Sequence, residues 1–347
     1  MGTLADLGGW PSVLGRLMAG DDLGVDDVRA AFAEVLEGRA TPAQIAAFAV
    51  ALRVKGETTE EMTGLAAALL EHAEPLVLAA GADVVDTCGT GGDGSRSINV
   101  STLAAFVVAG AGARVCKHGN RAASSATGSA DLLEALGVAV DLGPASVARS
   151  LDKAGMAFCF APRFHPGFRH VAATRRELGV RTVFNFLGPL VNPARPRRQV
   201  VGVSDPSMAE RMLGVLAANG ARRALVVYGH DGLDELTTTT TSTVLDLDDG
   251  EVRTYEVDPA ALGLPPAGWD DFRGGDPGVN ADAARRVLAG ERGAHRDVVA
   301  LNAAAGIVAA GLADTLEQGL ESARASIDEG RAADVLDRLV DASRAEE

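Results

Sequence analysis

The chain has 347 residues, 47% of them hydrophobic, which is enough for one large domain plus a smaller one with a sizeable core. Its 47 acidic and 32 basic side chains give a net charge of −15, and the scattered Lys and Arg argue against nucleic acid, whose polyphosphate backbone such a surface repels. No run of about 18 apolar residues and no secretory leader pattern is visible, so no membrane association and a cytoplasmic location are expected.

Residues 1 to about 75 read as helices only. Thr41-Pro42-Ala43-Gln44 combines an N-cap Thr, a proline at the first helical position and a capping-box Gln, opening a helix that runs to Gly56. Thr58 and Glu61 form a second capping box ahead of Met62, Leu65, Ala66, Leu69 and Leu70 at helical spacing, a face suited to a core or a subunit interface.

From Asp83 short apolar strands alternate with helices, the pattern of a mainly parallel sheet covered on both faces. The strands fall at Val84 to Cys88, Arg114 to Cys116, Met156 to Ala161, Val200 to Val203 and Ala224 to Tyr228. The first breaks into Gly89-Thr90-Gly91-Gly92-Asp93 and restarts as a helix near Asn99-Val100-Ser101-Thr102. Glycines admit backbone turns whose N–H groups face an anion, and a helix start adds unpaired donors and the positive end of its dipole. A second unit repeats the arrangement with a basic loop, Lys117-His118-Gly119-Asn120-Arg121, then Ser124-Ser125 and Ser129. Two adjacent anion sites suggest a substrate with two phosphate groups. Neither loop is a Walker motif or a dinucleotide fingerprint, which disfavours a nucleotide triphosphatase or a nicotinamide enzyme.

The segment Pro166 to Leu190 interrupts the alternation with a helix through Arg175 to Gly179 and reads as a crossing to the helical domain and back. The loop Gly229 to Glu235 leaves a strand at the same edge as the two glycine-containing loops, so three segments converge where ligands bind such sheets. Thr237 to Val257 reads as β-rich with a turn at Asp248-Asp249-Gly250, and helices resume from Asn280. Cys88, Cys116 and Cys159, odd in number and without Cys-x-x-Cys spacing, read as buried thiols.

The order and spacing of Gly89 to Asp93, Asn99 to Thr102, Lys117 to Arg121, Gly128-Ser129-Ala130-Asp131, Phe160-Ala161-Pro162 with His165-Pro166, Arg175 to Gly179, Phe184 to Leu190 with Asn192-Pro193, and Asp234-Glu235 resemble the anthranilate phosphoribosyltransferases of tryptophan biosynthesis over nearly the whole chain. The resemblance implies an α/β fold with a small all-helical N-terminal domain, residues 1–80 completed by about 167–195, that forms a homodimer. Residues 81–166 and 196–347 would form the large α/β domain with a mainly parallel sheet. The activity implied is transfer of the phosphoribosyl group of phosphoribosyl pyrophosphate (PRPP) to the amine of anthranilate.

The resemblance further implies that PRPP is held by Gly89, Gly92, Asp93, Ser97, Asn99, Val100, Ser101 and Thr102, and by Lys117, His118, Gly119, Asn120, Arg121, Ala122, Ala123, Ser124, Ser125 and Ser129. Lys117 and Arg121 would give electrostatic support, with no covalent catalyst. Gly89, Asn120, His165 and Arg175 would meet anthranilate, Arg175 offering its forked guanidinium to the carboxylate. Ser101, Asp234 and Glu235 would ligate one or two Mg²⁺ per subunit, hard oxygens suiting a hard cation. Read without the resemblance, Asp234-Glu235 is a solvated acidic loop and Arg175 one of several surface arginines. The family pattern differs at Gly167 and in the threonine run from Thr237. Two rivals remain: a pyrimidine nucleoside phosphorylase, which would need no acidic metal pair, and a noncatalytic relative that binds nucleic acid, which would need a basic groove.

Overall fold

The structure is a computed structural model that describes residues 2–79, 81–122 and 126–345. It opens with four helices, α1 (Gly9–Met18), α2 (Val25–Leu36), α3 (Pro42–Lys55) and α4 (Thr59–Glu71). Both expected capping boxes form. The Thr41 hydroxyl accepts from Gln44 N while the Gln44 side chain accepts from Thr41 N, and Thr58 and Glu61 do the same.

Then follow β1 (Val85–Gly89), α5 (Val100–Gly110), β2 (Val115–Gly119), α6 (Ser129–Ala135), α7 (Pro144–Ala154), β3 (Met156–Phe160), the short α8 (Ala161–Phe164) and α9 (Arg169–Leu178). The remainder is β4 (Arg198–Gly202), α10 (Ala209–Ala218), β5 (Arg223–Gly229), β6 (Ser242–Asp248), β7 (Glu251–Val257), α11 (Pro277–Leu288), α12 (Ala294–Ala310), α13 (Leu316–Asp328) and α14 (Arg331–Arg344).

The seven strands form one sheet in the order β3-β2-β1-β4-β5-β6-β7. β1 to β5 run parallel, and the antiparallel hairpin β6–β7 extends the sheet beyond β5 through the expected turn at Asp249-Gly250. Strand order reverses at β1, between β2 and β4, so the crevice at the carboxyl ends of β1 and β4 is the topological switch point where open α/β sheets bind ligands.

Two apolar layers sandwich the sheet. One packs α5 and α11–α14 against Val85, Val115, Val200 and Leu225. The other joins Cys88, Val201 and Val226 to α10 and runs without a break into α1–α4, so the core of the N-terminal helices is continuous with this face of the sheet. α9 leaves the sheet and packs on α2 and α3, with Phe184 stacked on Phe32 at 5.6 Å. Gly167 sits where a Cβ would come 2.7 Å from the Leu36 carbonyl, which accounts for a residue without a side chain at the end of α2.

The strand boundaries shift by a residue or two from the sequence reading, and β2 shifts most. Lys117-His118-Gly119 is the end of β2 and not part of a loop, paired with Phe158 to Phe160 of β3. Charge and polarity marked these residues as loop, but Lys117 and His118 are buried, with polar partners inside the fold. The three cysteines are buried and free, Cys116 and Cys159 lying 3.5 Å apart on neighbouring strands.

Candidate active site

The register of β1 and β4 sets Gly89 beside Gly202 at the switch point. With no Cβ at either, the loop carrying Asp234 and Glu235 lies directly across the two strand ends. A Cβ on Gly89 would sit 2.6 Å from Asp234 Oδ2, and one on Gly202 would overlap the Asp234 carbonyl. The Asp234 carboxylate accepts from Gly91 N at 2.6 Å, and Glu235 Oε1 accepts from Ser101 N at 3.2 Å. Asp93 closes the group, its Oδ2 accepting from Asp234 N at 3.5 Å.

The electrostatics of this group are unfavourable by themselves. Burial, then the neighbouring Asp93 and Glu235, push the Asp234 carboxyl well above the usual range. Glu235 is pushed up to about 8 by burial, opposed chiefly by Lys117. Lys117 lies below the site, only 2% exposed, with its amine donating to the Thr87 carbonyl and, at 3.4 Å, to the Ser101 hydroxyl. Among the described residues no three His, Cys, Asp or Glu side chains form a ready-made metal cage. Asp234, Glu235 and the Ser101 hydroxyl supply hard oxygens without enough cationic partners. That donor set fits Mg²⁺, which usually combines one or two carboxylates with substrate phosphates.

Of the two expected sources of anion donors, the helix start is occupied and the glycine loop is open. At the start of α5, Val100 N donates to the Ile98 carbonyl, Ser101 N to Glu235, and Thr102 N and Leu103 N to the Asn99 carbonyl, so these amides are already engaged. Open N–H groups lie instead at Gly92, Asp93 and Gly94, which have no partner among the described residues. Left-handed backbone at Gly91, Gly92 and Gly94 shapes that loop. Asn99 donates to the Thr127 carbonyl and accepts from Asn280, both at 2.9 Å. Ser97 N donates to the Ser95 hydroxyl at 3.1 Å.

Beyond β2, Asn120 is exposed, its side-chain oxygen accepting from Arg121 N at 2.7 Å and its carbonyl accepting from the Ser129 hydroxyl at 3.1 Å. Gly119 passes close to Ser129 and Phe158. Asp131 accepts from Ala122 N and Gly128 N, pinning both ends of the intervening loop. Ala123, Ser124 and Ser125 lie outside the described residues. The Arg121 guanidinium pairs with Asp131 at 3.0 Å and Glu134 at 2.8 Å and lies over the Phe160 ring.

His118 and His165 meet edge to face at 5.2 Å. His118 Nδ1 donates to the Gly188 carbonyl at 3.1 Å, leaving the lone pair on Nε2, which is buried and has no partner among the described residues. Burial lowers its pKa to about 3, so the ring is neutral. His165 Nε2 donates to the Val191 carbonyl at 2.8 Å. Arg175, in the last turn of α9, is half-buried with no ion pair or hydrogen bond among the described residues, and burial lowers its pKa.

Two residues absent from the sequence-based set hold this arrangement. Asp86, fully buried in β1, accepts from His118 N at 3.3 Å and from Asn192 Nδ2 at 2.8 Å, tying the two strands to the segment returning from the helices. Arg181 reaches from just beyond α9 to the Gly91 carbonyl.

The family model described as "Glycosyl transferase family, a/b domain" matches residues 81–333, and the "helical bundle domain" model of the same name matches residues 11–73. An anthranilate phosphoribosyltransferase of Rhodococcus jostii is 54% identical over 95% of this chain and 92% of its own length. The chain belongs to the anthranilate phosphoribosyltransferase family. Among solved members of that family, the enzyme of Thermus thermophilus superposes with a TM-score of 0.90 at 42% identity, covering 96% of this chain and 99% of the other. The enzyme of Saccharomyces cerevisiae, solved in complex with PRPP and Mg, gives 0.88 at 28% identity, covering 96% and 97%. Family membership accounts for the order of the motifs. The hydrogen bonds above explain how each is held.

Proposed function

We propose that the protein transfers the phosphoribosyl group of PRPP to the amine of anthranilate, giving N-(5-phosphoribosyl)anthranilate and pyrophosphate, as a step of tryptophan biosynthesis. The observation that carries this reading is the Asp234-Glu235 loop laid across the glycine ends of β1 and β4, beside a loop of open amides.

In this reading the amides of Gly92, Asp93 and Gly94 and the side chains of Asn99, Ser101 and Thr102 hold the donor, together with the Lys117 to Ser129 segment. Ser101, Asp234 and Glu235 hold one or two Mg²⁺, which when bound neutralise charge on the leaving pyrophosphate. Arg175 takes the anthranilate carboxylate in a forked contact, alongside Gly89, Asn120 and His165. Neutral His118, its Nδ1 held by the Gly188 carbonyl, positions the end of β2, and His165 packed against it shapes the aromatic pocket. The C–N bond forms as the C1–O bond to pyrophosphate breaks, and no side chain becomes covalent. Holding the two reactants in line and excluding water supplies the remaining advantage.

The same reading makes residues 1–80 and about 167–195 a helical dimerisation domain, with 81–166 and 196–347 as the donor-binding domain. An apolar stripe supports a homodimer: Ala43, Ala47, Val50 and Val54 share the outer face of α3, and Val54 and Met18 on α1 are each 82% exposed. Among the described residues no helix is long and apolar enough to cross a membrane, which is compatible with the cytoplasmic location proposed.

The deciding experiment follows the loss of anthranilate fluorescence with PRPP and Mg²⁺, with a chelator control. Turnover that requires both additions supports the reading. Phosphorolysis of a pyrimidine nucleoside without such turnover would replace it.

A further inference from the structure

The glycine loop is held from outside through the Gly91 carbonyl, which accepts from the Thr90 hydroxyl at 3.4 Å and from two further side chains. Arg181 Nη2 donates to the Gly91 carbonyl at 2.6 Å and to the Ser204 hydroxyl at 2.9 Å, and Ser204 Oγ itself donates to the same carbonyl at 2.9 Å. Ser204 is fixed in turn by Thr90, whose hydroxyl accepts from Ser204 N at 3.1 Å. No carboxylate pairs with Arg181 among the described residues, so its guanidinium is committed to the Gly91 carbonyl and Ser204. Gly92 allows the approach, because a Cβ there would overlap the guanidinium.

A trans peptide unit is planar, with C=O and N–H pointing in opposite directions. Holding the Gly91 carbonyl toward Arg181 therefore turns the N–H of Gly92 away from it. The other side of Gly91 is fixed as well, since its own N–H donates to Asp234 Oδ2 at 2.6 Å. Both peptide planes flanking Gly91 are thus set, one by an acidic residue of the proposed metal site and one by an arginine that follows α9. Glycine at 91, 92 and 94, all with positive φ, leaves the loop little stiffness of its own.

We propose that Arg181 is a positioning residue for the donor site, orienting the Gly91–Gly92 peptide so that its N–H meets a phosphate of PRPP. The inference rests on the phosphoribosyl transfer proposed above. It also links the two half-sites: Arg175 and Arg181 are separated by one helix end, so the segment that carries the acceptor's guanidinium also holds the donor's loop.

The test compares wild type, Arg181→Met and Arg181→Lys in fluorescence-monitored turnover and in calorimetric titration with inorganic pyrophosphate and Mg²⁺. Loss of a charge-assisted hydrogen bond predicts that Arg181→Met raises the KM for PRPP, and the Kd for pyrophosphate, by about ten- to hundred-fold. The KM for anthranilate should change by less than about threefold, with melting unaltered. Arg181→Lys keeps the charge but cannot fork onto both the carbonyl and Ser204, so a smaller rise in the same direction is expected. That variant decides the matter if the Met protein does not fold. Unchanged pyrophosphate affinity, or equal rises in both KM values, would overturn the proposal. Absence of turnover in the wild type would count against the transfer reaction instead, while pyrophosphate titration still reports on Arg181.

Discussion

Gly202→Ala tests whether the close approach at the switch point serves the chemistry. Gly202 ends β4 with no positive φ, so alanine fits the backbone and only the space is at issue. The added methyl would lie 2.7 Å from the Asp234 carbonyl carbon and closer still to its oxygen. The Asp234-Glu235 loop must then retreat by roughly 1.5 Å, an overpacking cost of at least about 1–3 kcal/mol. Stability should fall by that amount, which the buried core tolerates. Activity should fall further, because a misplacement of about 1 Å at a positioning group costs roughly a hundred-fold in rate. The assay is anthranilate fluorescence loss at fixed PRPP over a Mg²⁺ series. The expected result is a kcat/KM down about a hundred-fold, with a higher Mg²⁺ requirement. Wild-type kcat/KM and Mg²⁺ dependence in a folded Gly202→Ala protein would show that the position of this loop does not matter, and with it the assignment of Asp234 and Glu235 to the metal would fall.

The double variant Asp234→Asn, Glu235→Gln should lose turnover and its magnesium dependence. In metal-free buffer it should melt higher than wild type, since buried, mutually repelling carboxylates have been removed. Arg175→Ala should raise the KM for anthranilate about ten- to hundred-fold and leave that for PRPP nearly unchanged; equal effects on both would reject its assignment. His118 makes acid destabilising: with a native pKa of about 3 against an ordinary 6.5, the unfolded chain takes up a proton below pH 6.5 that the folded chain refuses. At pH 5 that amounts to about 2 kcal/mol, and denaturant titrations of His118→Gln should show a shallower loss of stability between pH 6.5 and 5. Val54→Glu should shift the protein from dimer toward monomer in sedimentation, and an unchanged dimer would move the interface away from α3.

Where local chemistry dictates structure, the sequence was easy to read. The capping boxes at Thr41 and Thr58, the hairpin turn at Asp249-Gly250 and the five parallel strands appear at or within a few residues of their expected positions. Partners distant in the chain were harder to see. Lys117 looked like a phosphate-facing loop residue, yet it ends in a buried bond to Thr87, thirty positions away. Arg121 looked free, and its neighbours Asp131 and Glu134 match its charge. The start of α5 looked open, and Glu235 caps it from across the fold. Arg181 stood outside the motifs and carried no signal, because its importance lies in which carbonyl it reaches.

These departures share a cause. A site that receives a polyanion must hold both its own carboxylates and its positive groups ready without letting them collapse on each other. Here Asp93, Asp234 and Glu235 cluster at the strand ends, and Lys117 beside them is held below by backbone and hydroxyl partners. Arg121 is matched elsewhere, and Arg175 and Arg181 are left without carboxylate partners among the described residues. Were Arg181 to turn onto Asp93 or Asp234, it would neutralise oxygens suited to a metal and release the Gly91 carbonyl. Its grip on backbone and Ser204 prevents that. The acidity of the chain as a whole therefore does not oppose an anionic substrate, because cation and amide donors are kept separate from the carboxylates by hydrogen bonds to neutral groups until a metal and phosphates join them.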